Sequence, residues 1–469
     1  MKKTKIVATL GLVSDSKEVL SALIDNGMNV ARLNFSHGSH EWHGNIIKTI
    51  REISKEKGVA IGILADLQGP RIRTMVAEPV EIVKGDKICV SDIAKNYAYA
   101  NFSLDVENII DDVEVGNEIL IEDGLMKVVV LEKNEKHLVC EVIDGGTIKN
   151  RKGVNIPDAK LNIDAITEKD QKDLEFVLGE GVDFVAMSFV GSGADIERLR
   201  DRMKKILGRE DNLPQIIAKI ERKEAIKNLD DILEHTDAVM VARGDLGIEV
   251  EGTKVAILQK EIVKKSLQAM KPVIVATQML DSMIVNPRPT RAEVSDVTNA
   301  VVDHADAVML SGESASGKYP IESVRTMKEI IENTEASPFD DVKHLLTLNG
   351  DGDFKRVMKS AFDLAKEAGA KAIVLGSASG FTARLLSHFR PEQKMLVVTH
   401  DEKTYNQLSL VWGVDAKLYS KGGVFREDID WIIEDAKKNG VIAKGDKVVL
   451  ILGVTPEGEH MRMIGIKEA

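Results

Sequence analysis

"MVARGDLGIE", residues 240–249, begins as an apolar strand and then sets an arginine, a glycine and an aspartate side by side. A buried strand that ends in bare backbone and a carboxylate has the form of an α/β enzyme strand, apolar along its length and chemical at its tip. The same theme recurs along the chain: "KIVATLG" from Lys5, "NVARLN" from Asn29, "AIGILAD" from Ala60, "FVAMSFV" from Phe184, "QIIAKIE" from Gln215, "AVMVARG" from Ala238, "PVIVATQ" from Pro272 and "AVMLSGE" from Ala307. Each run is followed by a stretch of helical period with a Gly or Pro break. Uniformly apolar strands alternating with helices imply a parallel sheet covered on its faces, and eight such units predict a closed (β/α)₈ TIM barrel, with an open doubly wound sheet as the alternative.

Composition sets the outer limits. The chain has 469 residues, above the roughly 100–200 of one domain, so two or three domains are expected. Its 43% hydrophobic and 29% charged residues are those of a globular protein, and no apolar run is long enough for a membrane span. A net charge of -12 argues against nucleic acid or anionic lipid as the main partner, so an anionic substrate must be held by local cations. Cys89 and Cys140 form no CxxC, which suits a reduced cytoplasm and gives no zinc pattern. The opening "MKKTKIVATLGLV" has a basic start like a signal peptide, but its apolar run is short and reads better as the first barrel strand.

The barrel rhythm breaks twice. Residues 71–153 read as short β segments with Gly, Asp and Asn turns, for example "VEVGNEILIEDGLMKVVVL" and "HLVCEVIDGG", and predict a small β lid domain inserted after the third strand. The barrel is thereby expected from 1–70 and 154–338. After "EASPFDD" a further α/β pattern, with strands near "AIVLGS", "MLVVTH", "AKLYS", "VVLILG" and "MRMIGI", predicts an open C-terminal α/β domain over 339–469.

A (β/α)₈ enzyme builds its site at the carboxyl ends of its strands. Alternation places Arg32 with Asn34, and Lys219 with Glu221, on common faces. Ser36 and His37 follow the second strand, Asp66 ends the third, Ser188 the fourth, and Arg243, Gly244 and Asp245 the sixth; Thr277 and Gln278 close the seventh, Ser311 and Glu313 the eighth. Each alone has a plainer reading: the aspartates as helix caps, the cations as snorkelling side chains, His37 as a brace for the next helix. Their coincidence at strand ends favours a polar active site, because an apolar interior would not tolerate them elsewhere. Glu221 and Asp245 suit Mg²⁺ or Mn²⁺. Lys219 and Arg32 offer fixed positive charge to a phosphoryl group or an enolate, and Gly244 leaves backbone N–H groups open to a carboxylate.

The order of motifs "MNVARLNFSHG", "DLQGPRIR", "KGVNIP", "IAKIE", "MVARGDLGIE", "KPVIVATQML", "NPRPTRAEVSDVTNAV" and "MLSGESASGKYP" resembles the pyruvate kinase family along nearly the whole barrel. The resemblance implies transfer of the phosphoryl group of phosphoenolpyruvate to ADP, giving pyruvate and ATP, in a protein that is usually a homotetramer. By matching position it implies Arg32 and Lys219 on the phosphoryl group, Glu221 and Asp245 on Mg²⁺, Gly244 and Asp245 near the substrate carboxylate, and Thr277 with Ser311 where the enolate is protonated. Asn34, His37, Arg73 and the lid residue Lys152 match nucleotide-side positions.

Departures from the family pattern carry their own expectations. Where many members read D-T-K-G-P-E, this chain reads "DLQGPR"; Arg71 puts a fixed cation beside the monovalent-ion positions Asn34, Ser36 and Asp66, and activity without K⁺ is expected. In "SASGFTARLLSHFRP", Ser377, Ser379 and Thr382 lie between a strand and a helix, where relatives hold a phosphorylated effector; an ordinary helix cap reads equally well. The ending "GVTPEGEHMRMIGI" lacks the family's G-x-T-N and leaves the effector open. A Mg²⁺-dependent aldolase or lyase of related barrels, and a catalytically silent sensor, are the other readings.

Overall fold

The computed structural model describes residues 2–95, 97–340, 352–419, 425–452 and 463–469. Eight parallel strands, β1 (Lys5–Thr9), β2 (Val30–Asn34), β3 (Gly62–Asp66), β4 (Phe184–Met187), β5 (Gln215–Ile220), β6 (Ala238–Ala242), β7 (Val273–Ala276) and β8 (Ala307–Leu310), close into a barrel. β8 pairs back onto β1, with Lys5 opposite Ala307, so the open-sheet alternative is excluded. Val7, Val30, Leu64, Phe184, Ile217, Met240, Ile274 and Met309 fill the interior. The opposite faces pack on the surrounding helices. The helix His40–Lys57 shows how: Ile46, Ile47, Ile50 and Ile53 form its buried stripe, the Ser39 hydroxyl accepts from Trp42 N–H at the start, and Gly58 ends it at φ 64°.

Between β3 and β4 the chain leaves to form a second closed barrel of seven short strands, running from Ile72–Met75 to Gly153–Asn155. Its signature is period two: in Met126–Lys133 and Leu138–Asp144 buried and half-buried residues alternate, with Met126, Val128, Val130, Leu138, Cys140 and Val142 inside. The C-terminal domain is a five-stranded sheet ordered Val414–Leu418, Lys394–Thr399, Ala372–Gly376, Lys447–Leu452 and Met463–Glu468, with only the last strand antiparallel. The stretch "GVTPEGEHMR", residues 453–462, lies outside the described residues.

The C-terminal domain closes the barrel floor, the end opposite the mouth. Leu410 enters the interior cluster, Gln407 donates to Asp183 O at 3.3 Å and Leu213 O at 3.2 Å, and Lys5 Nζ donates to Val414 O at 2.7 Å. The approach is so close at Gly62 that a Cβ there would lie 2.5 Å from Ser409 Oγ. Arg390 and Asp306, 2% and 5% exposed, form a two-point ion pair across this joint, at 3.1 and 3.0 Å.

Candidate active site

At the mouth the strand ends converge on one buried charge cluster. Asp66 Oδ2 accepts from Arg32 Nε at 2.7 Å and its Oδ1 lies 3.5 Å from Lys219 Nζ. Lys219 Nζ donates to Ser188 Oγ at 2.7 Å and stands 3.2 Å from Glu221 Oε2. Glu221 Oε1 is fixed by the Phe189 N–H at 2.7 Å, and Arg32 Nη1 by Thr9 Oγ1 at 2.8 Å. Thr9 of β1, Arg32 of β2, Asp66 of β3 and Lys219 of β5, with Ser188 and Glu221 directly after β4 and β5, thus form one connected network, held from below by the barrel's packing.

The charges settle unequally. Burial pulls against Asp66 ionising, but Lys219 and Arg32 outweigh it and hold its carboxyl below the ordinary value. Burial likewise opposes the charge on Lys219, yet Asp66, Glu221 and Asp245 together raise it, so the ammonium stays charged. Glu221 is pushed up by burial, only partly relieved by Lys219, and Asp245 pushes it further. Its Oε2 has no hydrogen bond despite being buried. A buried carboxylate with an unbonded oxygen, under repulsion from a second carboxylate, fits a divalent cation held by Glu221 and Asp245. Among the described residues no cluster of three or more His, Cys, Asp or Glu gathers at one point, so the remaining ligands of such an ion would be water and substrate oxygens.

The opening stretch reads differently in three dimensions. β6 stops at Ala242 and a helix, Arg243–Glu249, begins at once, leaving Asp245 exposed in its first turn. The Gly244 N–H is not free for a carboxylate: it donates to Thr277 Oγ1 at 2.8 Å, and that hydroxyl donates to Ala276 O at 2.6 Å. A Cβ on Gly244 would meet Thr277 Oγ1 only at 3.5 Å, ordinary contact, so packing within the fold does not demand glycine here. Arg243 is paired with Asp296, at 2.7 Å, and donates to Thr277 O at 2.6 Å, so it borders a cleft at the strand ends with its charge already matched. Glu313, read from sequence as a mouth group, is a brace: 1% exposed, it accepts from Leu280 N and Ser311 N. Thr277 and Gln278 take φ of 70° and 53°, and Phe189 59°, a left-handed backbone that L-residues adopt at a cost.

Two clefts open at the strand ends, the first of them on the Arg32 and Thr9 side of this cluster. One, about 540 Å³, is lined by Arg32, Asn34, His37, Ser311, Leu12 and Trp42 among others. The buried Ser311 Oγ has no hydrogen-bond partner. The other, about 850 Å³, runs between Asp123 of the inserted barrel and Gly244, Asp245 and Gln278. Asn34 Oδ1 accepts the Ser36 N–H at 3.1 Å, whereas Arg71 is exposed with no ion pair among the described residues. On the inserted barrel Lys152 is paired with Glu122, and Arg73 Nη1 donates to Arg151 O at 3.1 Å. Ser377 is buried, and with Ser379 and Thr382 it stands at the start of the helix Phe381–His388, whose cap Gly380 has φ 73° and makes no side-chain hydrogen bond.

Trp42 and Thr9 escaped sequence reasoning. Trp42 is one of three tryptophans, half-buried, tied by Nε1 to Asp15 at 3.2 Å, with its ring left at the cleft. A tryptophan at a helix start beside His37 was the available signal. We expect Trp42→Ala to raise the KM for the nucleotide several-fold with little change in kcat, since a base–aromatic stack contributes about 1–3 kcal/mol; an unchanged KM in steady-state assays would rule out stacking there.

The family model described as "Pyruvate kinase, barrel domain" matches residues 1–324, and "Pyruvate kinase, alpha/beta domain" matches residues 355–464. A pyruvate kinase of Geobacillus stearothermophilus is 44% identical over 469 residues, covering 98% of this chain and 78% of its own. One of Staphylococcus epidermidis is 43% identical over 467 residues, covering 98% and 79%. The crystal structure of a pyruvate kinase from Cryptosporidium parvum superposes with a TM-score of 0.93 at 34% identity, over 100% of this chain and 96% of that one. With the converging strand ends and both domain types matched, the chain belongs to the pyruvate kinase family.

Proposed function

We propose that the mouth transfers the phosphoryl group of phosphoenolpyruvate to ADP, releasing pyruvate and ATP. The observation that carries the reading is Lys219: a buried ammonium held charged between Asp66, Glu221 and Ser188 among the strand ends of the mouth. In the transfer the bond between phosphorus and the enol oxygen breaks as a β-phosphate oxygen of ADP forms its bond to phosphorus. Lys219 and Arg32 neutralise the moving phosphoryl group, and Lys219 then faces the enolate oxygen left behind. The enolate takes a proton at its methylene carbon, on the side of Thr277 and the unpartnered Ser311 hydroxyl, to give pyruvate.

Glu221 and Asp245 would hold the Mg²⁺ or Mn²⁺, whose chemistry is to neutralise substrate oxygens and align them. Gly244, whose N–H is held by Thr277, leaves room for the substrate carboxylate end beside the ion that Asp245 would hold. Asn34, His37 and Trp42 seat the nucleotide, and Arg73 and Lys152 reach its phosphates when the inserted barrel closes and water is excluded. Ser377, Ser379 and Thr382 form the loop for a phosphorylated effector. The expected setting is the cytoplasm, as a homotetramer, with neither nucleic acid nor membrane as partner; among the described residues no helix is long and apolar enough to cross a membrane.

The direct test is pyruvate formation from phosphoenolpyruvate and ADP with Mg²⁺, coupled to lactate dehydrogenase. No turnover with any nucleoside diphosphate would return the aldolase reading to the front. Run in tetraalkylammonium buffer, the same assay decides the role of Arg71. We expect full activity without K⁺, because a fixed guanidinium supplies the positive charge, and K⁺ activation to appear in Arg71→Glu; strong K⁺ activation of the native chain would defeat this assignment.

A further inference from the structure

At the barrel floor, opposite the mouth, Asp237 immediately precedes β6 and Lys271 lies just before β7, while the helix Phe381–His388 of the C-terminal domain presents Phe381, Arg384 and Leu385 toward them. Between the two domains is a cleft of about 170 Å³, lined by Asp237, Lys271, Phe381 and Arg384 among others. A smaller space of about 10 Å³, room for one water, shares Met270, Lys271 and Arg384 with it and reaches His388.

The charges around this cleft do not balance. Asp237 is the lining carboxylate of the outer space, and it is already engaged, accepting from Arg200 at 3.3 Å and from Ile216 N at 2.8 Å. Asp306, which lines the inner space, is bound on both oxygens by Arg390. Lys271 Nζ has only a carbonyl, Thr236 O at 2.6 Å, and Arg384 Nη1 only Ser379 O at 3.3 Å; neither forms an ion pair among the described residues. Burial lowers the pKa of Lys271, with Arg384 and Arg200 adding to the effect and Asp237 opposing it, and burial lowers that of Arg384. His388 is 3% exposed and neither ring nitrogen makes a hydrogen bond. Burial takes it down to about 3, so at neutral pH the ring is uncharged and keeps one N–H to give. Two half-buried cations facing a single carboxylate, Asp237, that already accepts from Arg200 leave an excess of positive charge, around a space larger than a water and smaller than a nucleotide, which suits a compact anion.

We propose that this cleft binds a small oxyanion, the phosphate or carboxylate group of a metabolite, between Lys271 of the barrel and Arg384 of the C-terminal domain, with Phe381 as an apolar wall for attached carbon. The site differs from the Ser377, Ser379 and Thr382 hydroxyls, none of which lines it, and it meets their loop through Phe381 and the Arg384 bond to Ser379 O. Its position gives it a route to the mouth: β6 and β7 rise from Asp237 and Lys271 to Gly244 and Thr277, the pair joined by the Gly244 N–H bond. A bound anion therefore ties the C-terminal domain to the feet of the two strands whose tips position the substrate.

Crystals soaked in selenate test the location, since the anomalous signal marks each bound anion. A peak within hydrogen-bonding distance of Lys271 Nζ and the Arg384 guanidinium supports the site, and peaks elsewhere with none here overturn it. In solution, thermal unfolding is followed in inorganic phosphate, malonate or chloride at equal ionic strength. We expect a rise in Tm with phosphate or malonate that falls by at least half in Lys271→Met and in Arg384→Met, and persists in Thr382→Ala. Loss with phosphate alone assigns the phosphate source, and loss with malonate the carboxylate source. Equal responses in native chain and all variants overturn the proposal. The readout needs no turnover, so it stands or falls apart from phosphoryl transfer at the mouth.

Discussion

Lys219→Met is expected to lower kcat for pyruvate formation by on the order of 10²–10³-fold or more, the loss typical when one preorganised charge facing a developing oxyanion is removed. KM for phosphoenolpyruvate should rise less, because Arg32 still binds its phosphoryl group. The substitution also strips Asp66 and Glu221 of a shared cation, since Nζ stands 3.5 Å from one and 3.2 Å from the other. Both carboxylates should then be harder to ionise, so the variant should lose activity more steeply as pH falls than the native chain. In the native chain Asp66 is held below its ordinary value of 3.8, and the stability it contributes is present above that pH and lost only as pH drops through the lower folded value. A Lys219→Met variant that keeps more than a tenth of native kcat, with an unchanged circular dichroism spectrum, would remove Lys219 from the chemistry.

Arg390→Met should be the most destabilising single change at the domain joint. Arg390 and Asp306 are buried together, Asp306 also accepts from Val273 N at 3.1 Å, and Arg390 donates to His304 O at 2.7 Å and lies 4.9 Å over the Trp412 ring. Removing the cation leaves a buried carboxylate without its partner, at a cost of about 3–5 kcal/mol. Denaturant unfolding should show an earlier transition, and the double change Arg390→Met with Asp306→Leu should recover part of the loss because no charge is left stranded. A single-variant loss below about 1 kcal/mol, the level of a surface pair, would mean that water reaches this joint.

How much could be read in advance differs by level of structure. The barrel strands were legible because strands buried on both faces read as unbroken apolar runs, and the inserted barrel because its strands alternate. Arg32, Asp66, Lys219 and Glu221 were legible because ionisable groups at such strand ends have nowhere to go but the mouth. The floor was not. Leu410, Gln407 and Trp412 look like any domain-core residues in sequence, and only docking of the two domains reveals that they close the barrel. Glu313 was misplaced for a related reason: strand position fixes where a side chain starts, but partners such as Leu280 N, supplied by another segment, decide where it ends.

The left-handed backbone at Phe189, Thr277 and Gln278 sets stability and activity at odds in this barrel. A β-branched residue at the φ of Thr277 costs on the order of 1–3 kcal/mol, and glycine would remove most of that cost. Selection for heat tolerance alone would therefore drive this position toward glycine and discard the hydroxyl that holds the Gly244 amide. Threonine keeps that hydroxyl at the expense of backbone strain, and an engineer seeking a hardier variant should look to the floor before touching the mouth.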